Sequence, residues 1–390
     1  MRDHQEASAA VTAEAVEPVP AAEGRIGRLR RLAVDGLSRM FNPERGLYCF
    51  RVRPGGAGVR QGGVSRRYTA ICLLGLAGET EETREIALAG TATAHVLETM
   101  IAECGDSENL GDLALALWAA QAHGHPGRNA LWRRLESLDP LGAPHAAVEI
   151  AWALDAALGE GAARAALATQ LAARLLAAEH AAGVFPHRIG GPAAGPRGHV
   201  ACFADFVYPI HALANYGTTA GHEGALAAAT RAAQRICRLQ GREGQWWWHY
   251  DVRTGDVVEG YPVYSVHQDA MAPMALFALA DASGSDFDGN VERGLRWIYR
   301  AAEMSAPLVD EERSVVWRKV GRAEPGKLVR YAQALTSRAH PRWRLPAADR
   351  LFPPRRIDFE CRPYHLGWLL YAWPEDRARR WDERRPGGVE

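Results

Sequence analysis

The sequence lacks several patterns that would place a protein in a familiar class. Its six cysteines are scattered, with no Cys-x-x-Cys pair and no Cys/His spacing typical of zinc sites. No apolar run approaches the roughly 18 residues that a membrane span needs. We therefore expect a protein of the reducing cytoplasm that has no structural zinc and no membrane span.

The chain also has no excess of positive or negative charge. The 46 Lys and Arg residues balance the 46 Asp and Glu residues, so bulk charge does not favour nucleic acid as a partner. Residues 1–24 are rich in Ala, Glu, Val and Pro and predict a disordered leader. Residues 376–390 are predicted to be a charged tail, which leaves residues 25–375 as one large domain.

Alternating strand patterns are nearly absent, whereas Ala-rich amphipathic runs such as 162–178 and 224–239 predict helices. A Gly-x-aromatic turn recurs after such runs at Gly46, Gly183 and Gly244. Each turn precedes a Gly/Pro-rich loop and then an apolar helix. Internal repeats of this kind are the mark of repeat architectures. We predict an all-α fold, an (α/α)6 toroid with long loops at the cavity mouth.

Six apolar helices are predicted to form the inner ring. Their starts lie near Ser65, Glu108, Val148, Tyr208, Tyr261 and Arg362. Pro suits the first turn of a helix because its missing N–H would be unpaired there. Ser265 and Gln268 also have the spacing of a capping box. Residues 305–357 are left without an assignment.

Polar side chains at these helix starts should converge on one cavity. The predicted catalytic residues are His267, Asp269, Asp205, Glu360 and Tyr264. The predicted substrate-binding residues are Trp246, Trp247, Trp248, His211, Arg66, Arg362, His365, Tyr208, Gln268 and Glu149. No metal and no cofactor are predicted.

His267 and Asp269 are the first pair to consider, because His exchanges a proton near neutral pH and a carboxylate can orient it. Positions two apart do not share a helix face, so the pair would act through substrate or at a non-helical start. Otherwise Tyr264 and His267, three apart, share a face. Asp205 and Glu360 could instead be the two carboxylates of glycosidic-bond hydrolysis. A Tyr/His pair with a nearby Arg would suit proton abstraction next to a sugar carboxylate.

Two resemblances add to these patterns. Gln240-x-x-x-Gly244-x-Trp246 is similar to the QW repeat of squalene/hopene-type terpene cyclases, which implies that it ties neighbouring helices of a toroid. Residues 25–375 as a whole resemble the six-hairpin toroids of carbohydrate-active enzymes, a class that includes glycoside hydrolases, uronyl hydrolases, lyases and epimerases. This second resemblance implies an acid/base enzyme acting on a sugar or oligosaccharide.

Three functions stay open at this point. The favoured one is a carbohydrate-active enzyme of the hydrolase, uronyl lyase or epimerase type. The alternatives are a terpene-cyclase-like enzyme acting on a prenyl substrate and a non-catalytic toroid that binds a glycan or a protein. Trp246 to Trp248 serve any of them, because a Trp face can stack on a sugar, shield a carbocation or pack a core. The oligomeric state does not follow from the sequence.

Overall fold

The computed structural model describes residues 24–56, 58–191, 195–345 and 348–385. The predicted leader, apart from Gly24, lies outside the described residues. The helices are, in chain order, α1 Arg25–Met40, α2 Arg66–Leu76, α3 Glu81–Ala87, α4 Thr93–Cys104, α5 Leu110–Ala122, α6 Asn129–Ser137, α7 Ala147–Gly159, α8 Ala165–Ala178, α9 Ala204–Ala220, α10 Glu223–Leu239, α11 Ala272–Ser283, α12 Asp288–Tyr299, α13 Leu328–Ala339, α14 Ala348–Leu351, α15 Pro363–Ala372 and α16 Glu375–Arg384.

Six of these helices form a closed inner ring. In order around the ring they are α2, α5, α7, α9, α11 and α15, and α15 packs against α2 to close it. Each is buried along most of its length, as their apolar sequences require. The predicted all-α toroid with six inner helices is therefore confirmed.

The outer layer consists of amphipathic helices that bury one face. In α10 the buried residues are Ala225, Ala228, Ala229, Ala232, Ala233 and Ile236. This spacing of three and four residues places them on one side of the helix, where they pack against α9. Helices α1, α4, α6, α8 and α12 pack on the ring in the same way. No described helix is long and apolar enough to cross a membrane.

Short antiparallel strands lie within the loops that connect the helices. They are β1 Phe41–Asn42, β2 Leu47–Gly55, β3 Gly58–Val64, β4 His145–Ala146, β5 Arg188–Ile189, β6 Val200–Cys202, β7 His249–Asp251, β8 Val257–Glu259, β9 Val263–Tyr264, β10 Val309–Asp310, β11 Val315–Val316, β12 Lys319–Gly321 and β13 Arg356–Asp358. Their sheet orders are β1-β2-β3, β4-β5, β6-β7-β8, β9-β12-β13 and β10-β11. The unassigned region 305–357 thus supplies β10 to β13 together with α13 and α14.

Two predicted helix starts are corrected. Helix α9 begins at Ala204, four residues before Tyr208, so Pro209 lies in its second turn. Asp205 supports the earlier start because its carboxylate accepts the backbone N–H of Cys202 at 2.7 Å. Tyr264 belongs to strand β9, and the helix opens with a π-helical turn over His267–Met271.

The predicted charged tail also needs a correction. Residues 375–384 form α16, whose Trp381 is 1% exposed and lies 5.0 Å from the ring of Trp373. Asp382 of this helix accepts the backbone N–H groups of Ile26 and Gly27 at 3.0 and 2.9 Å. These donors are the free N–H groups at the start of α1. Most of the charged segment is therefore packed on the domain.

Ring closure depends on two glycines, and this gives a testable prediction. An ideal Cβ on Gly75 of α2 would lie 2.2 Å from the carbonyl oxygen of Gly367 in α15, and one on Gly367 would lie 2.8 Å from the Cα of Cys72. Gly75→Ala and Gly367→Ala should each lower the free energy of unfolding in urea by about 1–3 kcal/mol or more. Gly289→Ala in α12 is the control, because its Cβ meets nothing within 4 Å. A loss in the control as large as that in the ring variants would contradict the prediction.

Candidate active site

The candidate site lies where the loops after the outer helices meet the starts of the inner helices. Strand β5 pairs with β4, with Arg188 opposite Ala146. The carbonyl of His187 accepts the N–H of Ala147, the first residue of α7. This pairing fixes the backbone of His187 at the ring mouth, between the starts of α7 and α9.

His187 and Asp205 form the central pair of the site. The His187 Nδ1 lies 3.0 Å from Asp205 Oδ2 and 3.2 Å from Oδ1. Asp205 is fully buried, whereas the His187 side chain is 63% exposed. An ionised carboxylate can only accept, so Nδ1 donates and Nε2 keeps the lone pair of the neutral imidazole. The hydrogen bond that His187 donates to Asp205, followed by the charge of Asp205, raises the pKa of His187.

His187 lines a cavity of about 1050 Å³ that also contains cationic and aromatic side chains. Among them are Arg197, Trp248, His249 and Arg330. The Arg197 Nη2 donates to His249 Nε2 at 2.9 Å, and Arg330 lies 4.4 Å above the Trp248 ring. Burial, then the charges of Arg197 and Arg330, hold the pKa of His249 well below its ordinary value. His249 is therefore neutral near neutral pH, whereas the carboxylate partner of His187 raises its pKa and suits it to exchanging a proton.

Glu149 lies on the α7 side of His187. Its Oε1 accepts from Asn109 Nδ2 at 2.7 Å, and its Oε2 accepts the N–H of Ala146 at 3.2 Å. Its side chain is 16% exposed, and its charge also raises the pKa of His187. Glu149 is thus held in place as an acceptor beside the catalytic candidate.

Glu360 accepts four guanidinium groups. Arg51 and Arg53 each approach its Oε2 at 3.2 Å, while Arg318 and Arg362 approach Oε1 at 3.2 and 2.7 Å. Burial raises the pKa of Glu360, but Arg362, Arg318 and Arg51 outweigh it and lower the pKa overall. A carboxylate held ionised in this way is not a proton donor near neutral pH, so the site does not support a general-acid role for Glu360, and its catalytic role stays a prediction.

Arg66 lies on the other flank of the mouth. Its Nε donates to Asp112 Oδ2 at 3.1 Å, and the neighbouring Arg67 donates to Oδ1 at 2.6 Å. The two arginines line a shallow groove of about 420 Å³ that also contains Phe50 and Tyr68. Arg66 is thus at the mouth, as predicted, but outside the set of residues that lines the His187 cavity.

Aromatic side chains from non-adjacent inner helices meet on the ring axis. Trp368 of α15 lies 5.7 Å from Tyr208 of α9 and 5.9 Å from Trp118 of α5. Tyr208 is 4% exposed and also contacts Trp152 at 4.9 Å. These four rings fill the centre of the toroid. Tyr208 is therefore part of the floor beneath the mouth.

His211 is separated from the mouth by this aromatic centre. Its Nδ1 pairs with Asp155 Oδ2 at 3.0 Å, and its Nε2 lies 3.2 Å from the hydroxyl of Tyr371. These residues line a different cavity of about 550 Å³ toward the C-terminal ends of the inner helices. The prediction placed His211 at the mouth because it assumed a later start for α9.

The first predicted pair, His267 and Asp269, is not assembled in this structure. Asp269 is fully buried and binds His365 Nε2 at 2.7 Å, and His365 is itself 3% exposed. His267 is 5% exposed, and its ring lies 4.5 Å from Phe203 and 5.2 Å from Tyr264. Burial lowers the pKa of His267 to about 3. His267, Asp269 and His365 are therefore packed in the protein interior, and they line none of the cavities described above.

Gln268 and two of the three tryptophans have structural roles. Gln268 is fully buried, and its Oε1 accepts the N–H of Trp246 at 3.0 Å. Trp246 is fully buried, and Trp247 donates its Nε1 to the carbonyl of Leu239. Trp248 does line the cavity, but its ring already packs on His249 at 4.0 Å. It therefore positions Arg330 rather than offering a free stacking face.

The turn that resembles a QW repeat does join neighbouring helices. Gln240 Nε2 donates to the carbonyls of Gly244 and Asn290, each at 2.9 Å, and Asn290 belongs to α12. Gly244 has a φ of +105°, and a Cβ there would lie 2.1 Å from the carbonyl oxygen of Arg293. These contacts are structural, and they carry no information about catalysis.

Among the residues that the structure describes, one group of side chains could hold a metal ion. The donor atoms of His187, Cys202 and Asp205 all lie within 4.8 Å of one another. Asp205 also pairs with His187 Nδ1 and accepts the N–H of Cys202, so hydrogen bonds link the three residues.

Sequence reasoning missed His187, Arg318 and Arg330. His187 follows the Gly183-x-aromatic turn directly, so a signal was present in a motif interpreted only as a turn. Arg318 and Arg330 lie in the region without a repeat pattern. The position of Arg318 depends on the pairing of β12 with β9 and β13. Arg330 belongs to α13, which packs against β8, and the sequence reveals neither arrangement.

Comparison with known proteins identifies the fold. No family model and no curated protein matches the chain. A cellobiose 2-epimerase from Bacillus thermoamylovorans is similar over 90% of this chain and 99% of that chain, at 10% identity and a TM-score of 0.61. A possible GH105 family member from Klebsiella pneumoniae is similar over 96% of this chain and 100% of that chain, at 11% identity and a TM-score of 0.57. The unsaturated glucuronyl hydrolase of Bacillus sp. GL1 is similar over 92% of this chain and 100% of that chain, at 13% identity and a TM-score of 0.56.

The chain has the α/α toroid fold. Matches at this identity extend over nearly the whole domain, so the fold is shared from end to end. They carry over no residue roles. The assignment of the site therefore depends on its own geometry.

The pairing of His187 with Asp205 gives the second prediction. Asp205→Asn removes the charge that raises the pKa of His187, so this pKa should fall because the opposing effect of burial remains. NMR titration of the His187 ring would measure the change. Folding raises the pKa of His187 in the wild type, so the pair stabilises the protein below the ordinary histidine pKa, and this contribution is lost as the pH rises through the folded-state value.

Glu82→Gln is the control for this titration, because Glu82 is exposed on α3 and should leave the His187 pKa unchanged. An unchanged pKa in Asp205→Asn would show that the carboxylate does not control the imidazole.

Proposed function

We propose that this protein is a carbohydrate-active enzyme in which His187 transfers a proton at a sugar carbon, as epimerases and uronyl lyases require. The observation that carries the proposal is the exposed His187 imidazole held through Nδ1 by the fully buried Asp205. A carboxylate that orients His in this way leaves Nε2 free to act as a general base and, once protonated, as a general acid.

Cationic groups in the cavity with His187 support this chemistry. Removing a proton next to a carbonyl or carboxylate leaves negative charge on oxygen in the transition state. Preorganised cationic donors stabilise such charge most strongly where water is largely excluded. Arg197 and Arg330 line the same cavity as His187 and are suited to this role.

Proton transfer by His fits the site better than hydrolysis by two carboxylates. Hydrolysis needs one carboxyl group that can donate a proton and a second that acts as base or nucleophile. Glu360 is kept ionised by its arginines, and Asp205 is buried behind His187. The Glu149 side chain is 16% exposed, but Glu149 is not among the residues that line the cavity.

The three solved relatives are consistent with a sugar as substrate. Their names are those of a cellobiose 2-epimerase, a possible GH105 family member and an unsaturated glucuronyl hydrolase. The arginines that line the cavity and surround Glu360 also differ from the dry, aromatic-lined cavity that a prenyl substrate would need.

The third prediction tests the proton transfer. The protein would be incubated in D2O with reducing sugars and uronyl oligosaccharides, and NMR would follow deuterium entering the carbon next to the carbonyl or carboxylate. His187→Asn should lower the exchange rate by about 10²–10⁴-fold, the usual contribution of a general base.

His95→Asn is the matched control, because His95 is exposed on the outer helix α4 and should retain the wild-type rate. Full activity in His187→Asn would overturn the proposal. Turnover without deuterium, abolished by Glu149→Gln, would instead favour hydrolysis.

A further inference from the structure

The arginine cluster around Glu360 carries far more positive than negative charge. Besides the four guanidinium groups on Glu360, Lys319 lies 3.3 Å from Asp358, and Arg318 reaches the same carboxylate at 3.7 Å. Five cationic side chains therefore share two carboxylates, which leaves three positive charges uncompensated within the cluster. Like charges at this separation repel each other unless an anion or solvent screens them.

Within the cluster, the charge of Arg318 adds to the effect of burial on Lys319. Burial lowers the pKa of Lys319, and the charge of Arg318 lowers it further. A chain with no net charge gathers these cations in one place, so the excess is a local property of the mouth and not of the whole protein.

The cluster also has hydrogen-bond donors to spare. A guanidinium group carries five N–H donors, and one carboxylate cannot occupy those of four arginines. The Nε of Arg318 is buried with no partner. Arg51 and Arg53 are 39% and 50% exposed, so a ligand can approach the cluster from solvent.

Aromatic rings hold the cluster beside the candidate active site. Arg318 and Lys319 lie 5.3 and 5.5 Å from the Tyr264 ring. Tyr264 in turn contacts Trp248 at 5.0 Å, and Trp248 lines the His187 cavity. Tyr264 and then Trp248 thus lie between the cluster and the cavity.

We propose that the Glu360 cluster binds a tetrahedral oxyanion, the phosphate or sulfate group of a sugar whose reacting carbon lies at His187. A phosphate monoester carries nearly two negative charges and offsets most of the uncompensated charge, whereas a carboxylate or a sulfate monoester carries one and leaves the greater part of it. Three or four oxygens also match the forked donors of several arginines. That the group belongs to a sugar rests on the proposed function; binding of the oxyanion itself does not.

The fourth prediction uses inorganic phosphate and inorganic sulfate as probes. Calorimetric titration at constant ionic strength should give saturable binding to the wild type, with acetate binding at least about tenfold more weakly. In Arg51→Gln/Arg53→Gln the affinity for phosphate should fall about tenfold or more, because two charge-assisted contacts are lost.

Several controls keep this test decisive. The double variant retains Arg318 and Arg362 on Glu360, and unfolding in urea would verify its stability. Arg133→Gln removes an exposed charge from outer helix α6 and should bind phosphate as the wild type does. Equal binding of acetate and phosphate, no binding at all, or wild-type binding by the double variant would each overturn the proposal.

Sugar esters distinguish the two sources of the oxyanion. Glucose 6-phosphate and glucose 6-sulfate would be titrated against glucuronate, with the His187→Asn variant alongside. Preference for either ester supports the proposal and names the group, whereas preference for glucuronate contradicts it. Phosphate binding without any sugar turnover would support the anion site and refute the proposed function. Sugar turnover without phosphate binding would support the proposed function and refute the anion site.

Discussion

The close contact of α2 with α15 is the constraint on which the rest of the structure depends. Backbones approach there because Gly75 and Gly367 carry no side chain, and this contact joins the first inner helix to the last. Arg51 and Glu360 are 309 residues apart in sequence, yet they meet because the ring closes. Tyr68 and Arg362 meet across the same junction, where Arg362 donates to the tyrosine hydroxyl at 2.7 Å. Without closure, the carboxylate of Glu360 would lose the arginines of the hairpin formed by β2 and β3.

Closure also creates an interior that must be filled. Helices on opposite sides of the ring leave an axial space, and large aromatic side chains occupy it at little conformational cost. Trp118, Tyr208 and Trp368 meet there, so the two ends of the toroid are separate. Polar residues at the starts of the inner helices therefore serve one mouth, and those near their ends, such as Asp155 and His211, serve the other.

The sequence predicted the ring better than the site. Helix period and the recurring Gly-x-aromatic turn report on local structure, and all six predicted inner helices are present, although two begin at other residues than predicted. The direction in which a side chain faces can be predicted only when the helix start is correct to one residue, because each residue turns the helix by about 100°. The π-helical turn at His267–Met271 adds an irregularity that no periodic rule anticipates, and Asp269 lies buried against His365. His187 was missed because a strand pairing, β4 with β5, sets its position.

Glu360 illustrates why a residue's type does not fix its role. A carboxylate beside a helix start at a cavity mouth is a reasonable acid catalyst, and the sequence offers no sign of the four guanidinium groups around it. A nearly buried charge is tolerated only when it is paired, and this carboxylate is paired several times over. The arginines that pair with Glu360 lie close together and have too few anions nearby to balance their positive charge. Glu360 thus gathers cations at the mouth, and the charge it fails to neutralise is what remains available to a ligand.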